Sequence, residues 1–216
     1  MPDWIEVAPG LRLTGDGAAW LPDEQALVIA DVHLGYAHAA RRRGGFLPPV
    51  DTAAVVAARA LDAAHRVAAA HLVIAGDLRH STRDVDEAER AEIARFLALL
   101  RAPGALERVD VVAGNHDRGD ALPRERSLGD TQVVHEPPPA PPDRWTICGH
   151  LHPSTTVRDE TGAGARYPCF LVGPRVVVLP AFGTWAGGVR GARLMRALFE
   201  AEWSRYPIAG GEVFAW

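Results

Sequence analysis

An α/β fold is predicted by two features of this chain: four short, nearly continuous apolar runs, and longer segments between them with helical spacing. The runs cover residues 26–30, 71–75, 108–113 and 145–148. They are rich in β-branched residues and do not alternate with polar ones, so they read as strands buried on both faces. A third feature fixes where the chemistry sits. Each run stops at a polar group: Asp31-Val-His33, Gly76-Asp77, Gly114-Asn115-His116-Asp117 and Gly149-His150-Leu-His152. Open α/β sheets place their ligands on loops at one edge, and these groups fall on such loops.

The remaining elements follow in order. Residues 11–14 and 18–21 flank Gly15-Asp16-Gly17 and predict a β-hairpin before the first long strand. Residues 34–43 read as a short helix ending at Gly44-Gly45. Residues 52–70 carry Val55, Val56, Ala60 and Leu61 on recurring faces behind an Asp51 or Thr52 cap, a packing helix. Residues 86–101 place Glu87, Glu89 and Glu92 early and Ile93, Phe96, Leu97 and Leu100 as an apolar stripe, a surface helix over the sheet. The proline-rich stretch 136–143 excludes helix and central strand, because its prolines have no N–H to donate. Residues 165–179 read as a hairpin through Gly173-Pro174, residues 189–203 have a mixed helical pattern, and residues 212–216 end the chain as an edge strand.

With 216 residues and 48% hydrophobic content, the expectation is one domain over 1–216 with a large core. No apolar run approaches the roughly 20 residues of a membrane span. The Met-Pro-Asp-Trp start lacks a secretion signal, so a cytoplasmic location with no membrane partner is expected. Cys148 and Cys169 lie inside strand-like runs and read as buried free thiols. The formal charge of −4 argues against a protein that coats duplex DNA through a broad basic face. All 23 basic residues are arginine, which excludes Schiff-base, ligase-type and Walker-type lysines. Arginine does suit phosphate, since its planar fork binds two oxygens at once.

The polar groups themselves are carboxylates, imidazoles and one carboxamide, with no thiolate among them. That is a donor set for two hard-to-borderline divalent metals. In His150-Leu-His152 an extended backbone would turn both imidazoles to the same face.

The ordered series D-x-H, G-D, G-N-H-D, a lone His and G-H-x-H resembles the calcineurin-like binuclear metallophosphoesterases. Ala30-Asp-Val-His-Leu-Gly35, Gly76-Asp-Leu-Arg-His-Ser81, His135-Glu-Pro137, Gly149-His-Leu-His-Pro153 and Leu179-Pro-Ala-Phe-Gly183 are similar to one branch, the bacterial ligase-associated DNA damage response endonucleases. The likeness spans about residues 10 to 185. It implies a two-sheet β-sandwich flanked by helices. It also implies Asp31, His33, Asp77 and His152 on one metal, and Asp77, Asn115, His135 and His150 on the other, with Asp77 bridging. The ions would be manganese, with iron or zinc as alternatives. By the same resemblance His116 faces the scissile phosphate and stabilises the transition state or protonates the leaving oxygen, while Asp117 orients its ring. His80 stands three residues after the bridging Asp, as in the endonuclease branch, and joins the site.

The chain departs from that branch at Tyr36, where a lysine commonly follows His-Leu-Gly, so a phosphate contact there would fall to Arg41, Arg42 or Arg43. Arg79, Arg83, Arg118, Arg124 and Arg126 are placed on loops at the same strand edge, with Arg79 and Arg118 as substrate-binding candidates. His38, His65 and His71 read as scaffold residues. The reading that ranks first is a manganese-dependent DNA endonuclease or phosphodiesterase of DNA repair, favouring single-stranded or flexible DNA, with a DNA ligase, helicase or exonuclease as repair partners. A small-molecule phosphoesterase acting on nucleotides or cyclic phosphodiesters is the alternative. A partner-binding domain without activity ranks last, since no ligand of the pattern is missing.

Overall fold

The apolar runs are continuous because their strands are covered on both sides. In the computed structural model the described residues are 4–215 apart from 49, 84, 120, 159, 188 and 191–197. They begin with β1 (Trp4–Ala8), β2 (Leu11–Thr14), β3 (Ala19–Leu21) and β4 (Ala26–Ile29), then α1 (Tyr36–Arg42), α2 (Thr52–Arg66), β5 (His71–Ala75), α3 (Glu87–Leu100) and β6 (Arg108–Val112). They continue through β7 (Glu125–Leu128), β8 (Thr131–Val134), β9 (Thr146–Cys148), β10 (Pro153–Arg158), β11 (Gly164–Gly173), β12 (Val176–Val178), β13 (Val189–Arg190), β14 (Ser204–Ala209) and β15 (Glu212–Val213).

Strands β1 to β6 form one sheet in chain order, antiparallel up to β4 and parallel from β4 to β6. The second sheet has the order β13-β10-β11-β12-β9-β8-β7, with β14 beside β11 and β15 beside β14. Within it β8, β9 and β12 run parallel. Leu27, Ile29, Leu72 and Ile74 pack with Val56 and Ala60 of α2 and Phe96 and Leu100 of α3. Their alternate neighbours Val28, Val73 and Ala75 pack with Val133, Ile147, Phe170 and Val177 of the other sheet. The result is the two-sheet sandwich with helices on its flank.

Local chemistry sets the helix ends. Asp51 caps α2 by accepting from the Ala54 N–H at 3.0 Å, and Asp86 caps α3 by accepting from Glu89 at 2.8 Å. Helix α2 ends at Arg66, and residues 67–70 turn into β5. The surface reading of α3 needs one correction. Glu89 is wholly buried and its carboxylate accepts from the Ser81 N–H at 2.9 Å, so it holds the loop after β5 rather than facing water.

The hairpins through Gly15-Asp16-Gly17 and Gly173-Pro174 are present, and residues 136–143 form neither helix nor strand. Strands β1, β7, β10 and β14 were not legible, since each is short and half-exposed with weak alternation. For the helical pattern over 189–203, residues 191–197 lie outside the described residues; 189–190 are strand and 198–203 are not helical. The edge strand at the end covers Glu212 and Val213, and Trp216 lies outside the described residues. Both cysteines are buried free thiols, and burial pushes Cys169 up to about 12 and Cys148 higher still. Among the described residues no helix is long and apolar enough to cross a membrane.

Candidate metal centre

Parallel strands end at a common edge, and that edge gathers the polar groups. Asp31 and His33 follow β4, Asp77 follows β5, and Asn115 and His116 follow β6; His135 follows β8, and His150 and His152 follow β9. The loops are stitched together by backbone bonds, from Asp31 to Gly76, His33 to Asp77 and Gly149 to His135, at 2.9–3.1 Å. The Asp31 carboxylate accepts from the His150 N–H, which ties the two sheets at the site.

The side chains converge in two groups. In the first, His33 Nε2 lies 3.1 Å from His152 Nε2, and His152 Nε2 lies 3.5 Å from Asp31 Oδ1. In the second, Asn115 Oδ1 lies 2.9 Å from both His135 Nε2 and His150 Nδ1. Asp77 stands between them, with Oδ2 3.8 Å from His33 Nε2 and Oδ1 3.4 Å from His135 Nε2. His135 donates its Nδ1–H to the Ala75 carbonyl at 3.1 Å, and His152 donates to that of Gly187 at 3.2 Å. These outer bonds set the tautomers and leave each Nε2 lone pair aimed inward.

Five of these residues have left-handed backbone: Asp31, His33, Asp77, His150 and His152, with φ between 45° and 69°. Such a conformation costs a side-chain-bearing residue roughly 1–2 kcal/mol and collects at functional sites. It also corrects the expectation of an extended His150-Leu-His152, because the turned backbone sends His150 to Asn115 and His152 to His33. Two glycines permit the crowding. A Cβ at Gly114 would come 2.1 Å from Asp77 Oδ1, and one at Gly76 would come 2.2 Å from His135 Nδ1.

Burial tunes the charges. Desolvation lowers His33 to about 3, so its imidazole is neutral and its lone pair available. Burial likewise lowers His150 and His80. At His152 burial works in the same sense, but the hydrogen bond and charge of Asp31 outweigh it and raise the group. Burial raises Asp77, which then carries its charge most readily beside a cation.

His116 lies at the edge of this cluster, its Nε2 3.9 Å from Asp77 Oδ2, and its N–H donates to Asp77 Oδ1 at 2.8 Å. The ring is oriented by the His80 carbonyl, which accepts from Nδ1, and not by Asp117. The Asp117 carboxylate is occupied otherwise: it accepts from the N–H groups of Leu78, Arg79 and Gly114 and locks the Asn115-His116 loop onto the loop after β5. His80 packs edge-on against Tyr36, ring centroids 4.8 Å apart, and lies 5.7 Å from the His33 ring.

Arg79 is 7% exposed and donates to the Arg118 carbonyl, so burial removes it as a surface phosphate ligand. Arg118 itself is exposed. Arg126 belongs to β7 and pairs with Asp110 at 3.1 Å, which takes it off the loop edge. His38 and His71 pair with Glu92 and Asp110, away from the metal groups. Sequence reasoning missed the anchoring role of Glu89; the signal was its place one turn into a helix that follows Ser81.

No family model matches the chain, and no curated protein does. Among solved structures, Pseudomonas putida nuclease MPE is 25% identical over 99% of this chain and 98% of its own, with a TM-score of 0.70. The chain shares the fold of that nuclease. A Vps29 variant from Entamoeba histolytica is 16% identical over 88% of this chain and 96% of its own, with a TM-score of 0.38. The residues of this site fit divalent cations on their own chemistry. Paired imidazole nitrogens facing each other at 3.1 and 3.2 Å beside carboxylates and a carboxamide are donors without hydrogens to share, and a cation satisfies all of them.

Proposed function

We propose that this chain, as one domain over residues 1–216, is a manganese-dependent endonuclease that hydrolyses DNA phosphodiester bonds and favours single-stranded or flexible DNA. What carries the reading is Asp77, whose two oxygens face separate imidazole groups at 3.8 and 3.4 Å. One ion would be held by Asp31, His33, Asp77 and His152, the other by Asp77, Asn115, His135 and His150. When bound, such ions neutralise phosphate charge and lower the pKa of water, the chemistry of metal-dependent hydrolases. Manganese fits oxygen and nitrogen donors without sulfur, with iron or zinc as the other candidates.

His116 acts from the edge of the pair. With Nδ1–H held by the His80 carbonyl, its Nε2 faces the same space as Asp77 Oδ2 and, when protonated, donates to a leaving oxygen. Asp117 positions that loop through three amides. His80, kept neutral by burial, offers a neighbouring donor on the Tyr36 side.

The nuclease name of the Pseudomonas putida structure supports a polymeric substrate. Among the described residues no inserted cap domain covers the site. We place the enzyme in the cytoplasm, in repair beside a DNA ligase, helicase or exonuclease. A second reading, hydrolysis of nucleotides or cyclic phosphodiesters, draws on the net charge of −4 and on a 550 Å³ groove of nucleotide size beside His135. Manganese-loaded protein on closed circular single-stranded DNA, beside nitrophenyl diester and monoester substrates, separates the two. Nicked circles support the endonuclease; intact circles with preferred monoester hydrolysis support the small-molecule enzyme.

A further inference from the structure

Among the described residues three grooves border the metal centre and carry arginine. In the one beside His152, Arg59 donates to the Asp16 and Phe182 carbonyls and Arg166 donates to Ser154. The other two hold exposed arginines. The first, about 550 Å³, runs from Asn115 and His135 to Arg118 and Arg124. The second, about 660 Å³, runs from His116 and His80 to Arg43 and Arg83. Asn115 and His116 are adjacent in the chain yet line different grooves, so the loop that carries them stands between the two. Arg42 also lines the second groove, but it is paired with Asp86. Arg43, Arg83, Arg118 and Arg124 make no ion pair with a described residue. On a chain of net charge −4, four such cations in two grooves are a local arrangement and not a general basic surface. Two carboxylates, Asp117 and Glu136, line the first groove, and Asp117 is occupied by three backbone N–H groups.

A third feature lies in the loop after α1. Phe46, three residues beyond Arg43, is 92% exposed. Its loop is held against α1, because Arg41 donates to the Pro48 carbonyl at 3.1 Å and to that of Leu47 at 3.4 Å. An exposed aromatic beside arginines is the pairing that receives unstacked bases, since every base has a π-face and a phosphate next to it.

We propose that a single nucleic-acid strand lies across the metal centre, its phosphates held by Arg118 and Arg124 on one side and by Arg43 and Arg83 on the other, with a base stacked on Phe46. This rests on the nuclease reading and assigns the residues that would hold its strand. A mononucleotide or a nitrophenyl ester fills one groove only; a strand fills both. Bases paired in a duplex cannot reach Phe46, so the same residues that bind the strand reject the double helix.

The test uses the manganese-loaded full chain on oligothymidylates of about 2, 6 and 12 nucleotides, lengths around the range of single-strand sites. Wild type is expected to gain at least tenfold in kcat/KM from the shortest to the longest. R83A and R124A should each remove part of that gain and reduce the slope of log KM against log salt by about 0.7, the value for one lost phosphate contact on a single strand. F46A should narrow the preference for single strand over duplex severalfold. Circular DNA nicked by wild type with no length dependence, or wild-type salt slopes in both arginine variants, would overturn the strand path and leave the nuclease reading standing. Hydrolysis of the nitrophenyl diester with no cleavage of any oligonucleotide would overturn that reading itself. Thermal melts of the three variants at the wild-type temperature verify that surface substitutions, and not folding, cause the changes.

Discussion

His33 and His152 meet with their Nε2 atoms 3.1 Å apart, although 119 positions separate them in the chain. Two imidazole lone pairs do not share a hydrogen, so the contact is favourable only with a cation or a proton between them. The donation of His152 Nδ1–H to Gly187 commits its Nε2 to that role, and burial keeps the partner His33 neutral.

Asp77 faces both groups, so removing it should affect both. In D77A, metal analysis is expected to fall from two equivalents to less than one, with activity at background on DNA and on both nitrophenyl esters. Two equivalents with normal turnover would show that the carboxylate is not shared.

The metal-free protein should lose stability in acid. His33 has a folded pKa of about 3 against 6.5 unfolded, so the unfolded chain binds the extra proton in that window. Its contribution is complete above pH 6.5 and is lost as pH falls towards 3, at about 1.4 kcal/mol per pH unit. Burial moves His80 and His150 in the same direction, and the raised groups His152 and Asp77 oppose it. Urea unfolding at a series of pH values should show the decline, and H33Q should flatten it. An unchanged slope in H33Q would remove His33 as its source.

His150 carries a left-handed backbone at a proposed metal ligand. Its φ of 69° suits glycine. H150G should therefore raise the stability of the metal-free protein by up to about 1 kcal/mol while weakening metal affinity and activity. A destabilised H150G would mean that the ring contacts outweigh the backbone strain.

His116 should matter in proportion to the leaving group. H116A is expected to keep both metals and to lose about 10²–10⁴ in rate on DNA, whose alkoxide needs a proton. The nitrophenyl diester, with its stable leaving anion, should suffer much less. Equal losses on the two substrates would make His116 a phosphate-binding group.

The sequence by itself determined the α/β class, the strands that end at polar groups and the residues that gather at the candidate site, because each is written in short-range pattern: an apolar run, then a carboxylate or imidazole. It also determined the caps at Asp51 and Asp86, which act within three residues. Tertiary structure alone decided which donors share a group. His33 meets His152 and Asn115 meets His135 and His150 only because β4, β6, β8 and β9 end at one edge of two packed sheets. Long-range contacts also decided the roles of charged residues that look alike in a string. Burial took Arg79 into the scaffold and set Glu89 on the Ser81 amide, while three backbone N–H groups claimed Asp117 and left the His80 carbonyl to orient His116. A buried charge or amide must find its partner wherever the fold brings one, and that partner is not a neighbour in the chain.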